Sequence, residues 1–206
     1  MAIVSYGLKI TEAYHIFDKT IKTYHNAVHY ISDIVIRHYD ELKSLESITG
    51  DDGKVIISAQ QRRQQKMERL IHSTANNDAT YKRFDKEFYK FPSYLRRDAI
   101  NTAIGLILSY RSQLQKWEDG GRHGRRPYLN RNQNAMPCFY RNNTFLDSEE
   151  TNIISLKLYN GKDWIWETFA IRDCDFMYAY SHMKAWKASA PVLVKRNHRY
   201  ELRISY

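Results

Sequence analysis

From Ile3 to Thr11 the chain opens on Ile-Val and then alternates through Tyr6, Leu8 and Ile10, a period of two that predicts a strand. No second strand pattern follows at hairpin distance, so its partners must come from far along the sequence. From Glu12 to about Leu45 the period changes. Phe17, Ile21, Tyr24, Val28, Ile31, Val35, His38, Leu42 and Leu45 step by four and three, which predicts one long helix with a heptad-like stripe. Gly50-Asp51-Asp52-Gly53 then marks a turn or loop.

Ser58-Ala-Gln-Gln61 has the form of a capping box and predicts a second, mostly polar helix running to Leu70-Ile71. Asn76-Asn77-Asp78 breaks it, and a short aromatic helix around Phe84, Phe88, Tyr89 and Phe91 follows. Pro92-Ser93 opens a strong helix with Leu95, Ala99, Ala103, Leu106, Tyr110, Leu114 and Trp117 on one stripe. Ile100, Ile104, Ile107 and Leu108 widen that stripe towards all-round burial, and Gly120-Gly121 stops the helix. Beyond the glycines short strands are predicted over 138–141, 152–159, 162–171, 191–195 and 199–206, with a loop and short helix in 173–187. Asn160-Gly161 predicts a tight type I′ hairpin, because both residues tolerate positive φ. The simplest assembly is α+β: the first strand returns to the C-terminal strands in a small OB-like antiparallel barrel, with a helical bundle inserted after that strand.

Composition narrows the class. In 206 residues Gly plus Pro number only 12, and 28 residues are aromatic, so the chain can bury a core and is neither collagenous nor low-complexity. No apolar run approaches the roughly 18 residues of a membrane span, and no signal peptide is evident. With two cysteines, Cys138 and Cys174, this predicts a reducing, cytoplasmic setting in which both thiols are buried by default and the Asn142-Asn143-Thr144 sequon is chance.

Charge adds a partner class. The formal net charge is +9, and residues 58–147, with 17 basic and 8 acidic side chains, carry an excess equal to all of it. A concentrated positive field attracts polyanions and gains from counterion release, so nucleic acid is the first partner to weigh against a merely solvated basic surface.

Catalytic signals are weak by comparison. His25 and His29 share a helix face but lack the intervening Glu of a hydrolytic pair, which favours a packing or surface role. Neither cysteine has a CxxC partner for a zinc ribbon. The acidic pairs Asp51-Asp52, Glu149-Glu150 and Asp173 with Asp175 fall in predicted turns or loops. No phosphate-binding glycine loop, nucleophile elbow or dinucleotide fingerprint occurs. No catalytic residue, metal or cofactor is assigned to the chain.

The sharp feature is the acid-free stretch from Gly120 to Leu146, in which Arg122, Arg125, Arg126, Arg131 and Arg141 are interleaved with His123, Tyr128, Asn130, Asn132, Gln133, Asn134, Phe139 and Tyr140. Guanidinium forks match phosphate oxygens, amides brace sugar and base edges, and aromatic faces stack on bases. A second cluster, Arg62, Arg63, Lys66 and Arg69, lies at helical spacing, and Arg96, Arg97 and Arg111 extend the surface. A third, Lys195-Arg196-Asn197-His198-Arg199, sits at a predicted hairpin tip.

In layout the chain resembles the N-terminal half of the TnpB family of transposon-encoded, RNA-guided DNA endonucleases, relatives of the compact type V CRISPR effectors. The residues behind the resemblance are the opening strand followed by Tyr24-His25-Asn26-Ala27-Val28, and the helix Leu95-Arg96-Arg97-Asp98-Ala99-Ile100. To these add Gly124-Arg125-Arg126-Pro127-Tyr128-Leu129 leading into Pro137-Cys138-Phe139-Tyr140, and the closing Ala190-Pro191-Val192-Leu193-Val194-Lys195 with Tyr200-Glu201-Leu202-Arg203-Ile204-Ser205-Tyr206.

The resemblance implies a wedge domain over 1–11 and 135–206, a helical recognition lobe over 12–120 and a basic connecting segment over 121–134. It also implies a guide RNA and a target DNA as partners, with base pairing supplying sequence and the protein reading shape and phosphates. No membrane partner is implied. Family members continue into a RuvC-like nuclease carrying three carboxylates, and nothing up to Tyr206 matches those residues. The expectation is therefore a fragment, a split half whose nuclease is a separate chain, or a nuclease-dead relative. Two readings compete: a guide-independent DNA-binding regulator, and a helical protein-interaction scaffold dimerising through the heptad stripe.

Overall fold

A computed structural model describes residues 5–10, 15–130, 135–147, 152–185, 188–196 and 199–205. The chain divides into two compact units. One comprises Met1–Tyr24, Lys90–Leu95 and Met136–Tyr206, the other His25–Tyr89 and Arg96–Ala135.

The first unit carries the larger sheets. Strand β1 (Ser5–Lys9) pairs antiparallel with β8 (Arg199–Ser205) from Ser5 opposite Ser205 to Lys9 opposite Glu201, and β8 pairs with β7 (Val192–Arg196). The lone opening strand thus finds its partner at the far end of the chain. A second sheet is a meander of β4 (Phe145–Asp147), β5 (Ile153–Tyr159) and β6 (Trp164–Ala170). Period-two patterning decides which face is buried: Ile154, Leu156 and Leu158 of β5, and Tyr200, Leu202 and Ile204 of β8, point inward. They meet Phe139, Phe145, Phe169 and the first turns of helix α1 (His15–Arg37), where the Phe17 ring lies 5.0 Å from Phe169 and 4.7 Å from Tyr200.

The expected barrel does not close. Among the described residues the two sheets remain separate ladders, and β1 touches the end of β6 only through a single bridge, Ile10 to Ile171. Helix α6 (Asp173–Ala185) starts two residues after that bridge and turns the chain out of the sheet before a longer ladder can form. The short helix expected within 173–187 is present and starts earlier, at Asp173, where a loop was expected. The 138–141 stretch makes isolated bridges, not a strand, and the strand falls at β4 instead.

The hairpin between β5 and β6 is wider than a two-residue turn. Tyr159 opposes Trp164, so 160–163 form a four-residue loop. The Asn160 side chain accepts from the amides of Lys162 and Asp163 at 2.8 and 2.9 Å, and Gly161 takes φ +105°. Self-bonding by Asn stabilises this longer turn over the type I′ alternative.

Asp175, in the first turn of α6, is fully buried and ties β1 and Arg172 to that helix. It accepts from the Tyr6 hydroxyl (2.8 Å), the Lys9 amide (3.1 Å) and Arg172 Nε and Nη2 (3.0 and 2.9 Å). Burial alone would raise this carboxyl, but those donors outweigh it and hold it below the usual carboxylate range. Its hydrogen bond, with burial, pushes Tyr6 up to about 12.

The second unit is built from α1 beyond Tyr24, α2 (Tyr39–Lys43), a small hairpin of β2 (Ile48–Thr49) and β3 (Val55–Ile57), α3 (Ala59–Ile71), α4 (Arg83–Glu87) and most of α5 (Ser93–Asp119). The long first helix is not continuous to Leu45. It breaks at His38, whose ring joins Glu41 Oε2 and the Tyr81 hydroxyl, both at 3.0 Å. The capping box at Ser58 is present with both reciprocal bonds, at 3.2 and 2.9 Å. The predicted heptad stripe is spent internally: Val28, Ile31 and Val35 of α1 and Leu42 of α2 are buried, as are Met67, Ile71 and Phe84 and, on α5, Ile100, Ala103 and Ile107.

Candidate nucleic-acid interface

At the end of α5 the sequence Trp117-Glu-Asp-Gly-Gly-Arg-His-Gly-Arg-Arg turns back on its own last helical residues. Gly121 takes φ +76° and Arg122 +61°, a left-handed pair that ends the helix and brings the Arg122 amide to the Trp117 carbonyl at 2.9 Å. Arg122 pays the strain that Gly121 escapes, and its guanidinium lies 6.0 Å from the centre of the Trp117 ring. Gly124, at φ +77°, turns the chain again, and its carbonyl accepts from the indole N–H at 3.3 Å. That fixes the indole plane. Arg126 lies 6.0 Å from the same ring, and Arg125 sits 5.4 Å over Tyr128, whose side chain is 65% exposed.

Three guanidiniums on two aromatic rings thus form one exposed cluster within the helical unit, at the outer edge of cation–π range. None of Arg122, Arg125 and Arg126 pairs with a carboxylate among the described residues. Stacking on a ring restrains a guanidinium while leaving its N–H edge open, which suits phosphate, and a partly exposed indole is a platform for a base.

The remaining predicted cations are placed differently. Arg62 donates to the Glu46 carbonyl at 2.9 Å, and Arg63 to the carbonyls of Leu42 and Leu45 at 2.8 and 3.3 Å, so both brace the chain leaving α2. Lys66 pairs with Glu41, while Arg69 is exposed. Arg96, 7% exposed, holds Glu68 Oε1 through Nε and Nη2 at 3.0 and 2.8 Å, and Arg97 approaches the other oxygen at 3.6 Å. Arg111 lies over the Tyr39 ring at 5.0 Å.

In the sheet unit Arg141 pairs with Asp147 at 2.9 Å. Lys195 pairs with Asp18, which holds that carboxyl low, and Arg196 is exposed. Arg131, Asn132, Gln133, Asn134, Glu149, Glu150, Asn197 and His198 lie outside the described residues. The cations that fell at helical spacing are therefore largely drawn to the chain's own carbonyls and acids. Those of the turn after α5 are not.

Trp117 is the member that periodicity hid. It completes the apolar stripe of α5 and reads as core, yet it stands one residue before an acidic pair and two glycines that lift the next arginines onto it. Cys174 corrects the expectation of buried thiols: it is exposed, and Cys138 is half-buried. Among the described residues no group of three His, Cys, Asp or Glu is placed to hold a metal, and no helix is long and apolar enough to cross a membrane.

A family model described as the Aq_aa04 family matches residues 4–160, a span that contains the whole helical unit and the arginine cluster. No curated protein matches the chain.

Proposed function

The chain belongs to the Aq_aa04 family, and we propose that it is a nucleic-acid-binding module whose preferred partner is RNA, gripped by the turn that follows α5. The observation that carries this is the set of three exposed guanidiniums, Arg122, Arg125 and Arg126, held on Trp117 and Tyr128 with no carboxylate partner among the described residues. Phosphates would neutralise the arginines while bases stack on the freed ring faces. In the TnpB-like reading that RNA is a guide, the target is DNA, and a separate chain supplies any nuclease. The long-range return of β1 to β8 and the helical insertion support that layout. The internal burial of the α1 stripe removes the motive for a helical dimer.

The test is binding of the full chain to single-stranded and structured RNA across salt. Replacing Arg122, Arg125 and Arg126 with Ala should lower the slope of log K against log salt by about 2, three phosphate contacts at roughly 0.7 each. Replacing Lys54, Lys82 and Arg83, which already pair with carboxylates, should leave the slope nearly unchanged. Wild-type affinity no better than that of an equally basic control protein would overturn the reading. Tight binding to one duplex DNA without RNA would transfer it to a guide-independent regulator.

A further inference from the structure

Beside the arginine cluster, wholly within the helical unit, α1 and α5 enclose a cleft of about 240 Å³ closed on one side by Tyr128, Leu129 and Asn130. Two of its wall groups are anomalous. Among the described residues His25 Nε2 and Asn101 Oδ1 are buried with no hydrogen-bond partner. Leaving a buried acceptor unpaired costs about 1–3 kcal/mol, and two in one cleft call for an explanation. Burial, only partly offset by a bond to the Ala135 backbone, holds the His25 ring below its ordinary pKa, so the ring is neutral near pH 7. The nitrogen bonded to that carbonyl keeps the proton, and Nε2 then presents a lone pair. The cleft wall therefore offers two acceptors.

Gly105 is the third anomaly. It stands in the middle of the 27-residue α5, on the same wall as Asn101 one turn earlier, and a Cβ built on it meets nothing within 4 Å. Neither packing nor φ requires glycine there, and glycine in a helix costs about 1 kcal/mol against alanine. Its effect is to keep the floor of the cleft flat and open. Leu106 and Leu129 give the lining apolar faces, and Tyr128, with Arg125 on its ring, joins the cleft to the arginine cluster.

We propose that this cleft is a base pocket, taking one nucleobase that carries an exocyclic amino group, with His25 Nε2 and Asn101 Oδ1 accepting from its N–H donors. The cleft is large enough for a single base and smaller than a drug-sized site, and the adjacent guanidiniums meet the phosphates of the same strand. Adenine, cytosine and guanine present amino groups. Uracil presents one ring N–H flanked by carbonyls, which two acceptors repel. The choice of a base as ligand rests on the nucleic-acid reading above.

The experiment follows the His25 ring by NMR in the full chain during titration with adenosine, cytidine and uridine, alongside binding of single-stranded A, C and U oligonucleotides. Adenosine and cytidine should shift the ring resonances saturably, with uridine at least about fivefold weaker, as for one lost hydrogen bond. Gly105→Leu, a good helix former, should abolish the shift without lowering Tm, and Asn101→Leu should erase the preference over uridine.

No saturable shift, or equal response to the three nucleosides, would overturn the pocket. If RNA binding responds to the arginine substitutions but not to Gly105→Leu and shows no base preference, the pocket falls and the RNA reading stands. If nucleosides titrate His25 while the chain fails to bind RNA, the pocket stands alone and the RNA reading falls.

Discussion

Asp175 offers the most direct test of how the sheet unit is held. Replacing it with Ala removes the acceptor for the bonds from Tyr6, Lys9 and Arg172 that join β1 to the start of α6, and for a weak one from Cys174 Sγ. The Arg172 side chain is 45% exposed and regains water, so its two bonds are recovered in large part. The Lys9 amide and Tyr6 hydroxyl are left with no carboxylate, at about 1–3 kcal/mol each. The expected loss for Asp175→Ala is about 3 kcal/mol. Asp175→Asn keeps one acceptor oxygen and should lose about half that.

For a unit of this size each kcal/mol moves Tm by about 4–8 °C, so the Ala variant should melt about 12–24 °C lower, read by circular dichroism and by the fluorescence of Trp164 and Trp166. The pH dependence gives a second readout. Because the folded carboxyl lies below its unfolded value of about 3.9, its stabilisation is complete above that value and is lost as pH falls through the depressed one. The gap between wild type and Asp175→Asn should therefore be constant at neutral pH and narrow below about pH 4. An Ala variant within about 1 kcal/mol of wild type, or a gap that does not narrow in acid, would refute the assignment.

Two further outcomes are expected. Glu68→Ala removes the carboxylate oxygen that Arg96 Nε and Nη2 hold and should cost about 3 kcal/mol in urea unfolding, the low end for a broken buried pair because Glu68 is partly exposed; Glu68→Gln should cost less. Tyr6, pushed up to about 12, contributes stability that is complete below its ordinary value near 10 and is lost as pH rises to about 12. Tyr6→Phe should flatten the alkaline limb of the stability profile over that window.

Elements written in local chemistry were legible from residue order alone. The Ser58 capping box, the glycine stop after α5 and the strand periods of β5 and β8 each follow from a few adjacent side chains. The break at His38 was not, because no Gly or Pro marks it; it follows from ring contacts with Glu41 and with Tyr81 in the turn before α4. The barrel failed for a similar reason: α6 begins directly after β6, and the Asp173-Cys-Asp start reads equally well as a loop.

At the site, charge composition located the arginines, but only the three-dimensional partners separate those committed to Glu68, Glu41 and backbone carbonyls from those left facing solvent. The cleft was illegible. A glycine with open space and two orphaned acceptors have no signature until the helices carrying them lie side by side.

The pairing of β1 with β8 has a consequence for biosynthesis. The helical unit, apart from the Lys90–Leu95 excursion, is one run of chain and can assemble while the ribosome is still working. The first strand must wait, its edge unsatisfied, until Arg199–Ser205 has emerged. Premature termination anywhere after Ala135 would thus leave an intact helical half trailing an orphan β-edge, the kind of species that chaperones hold and proteases remove.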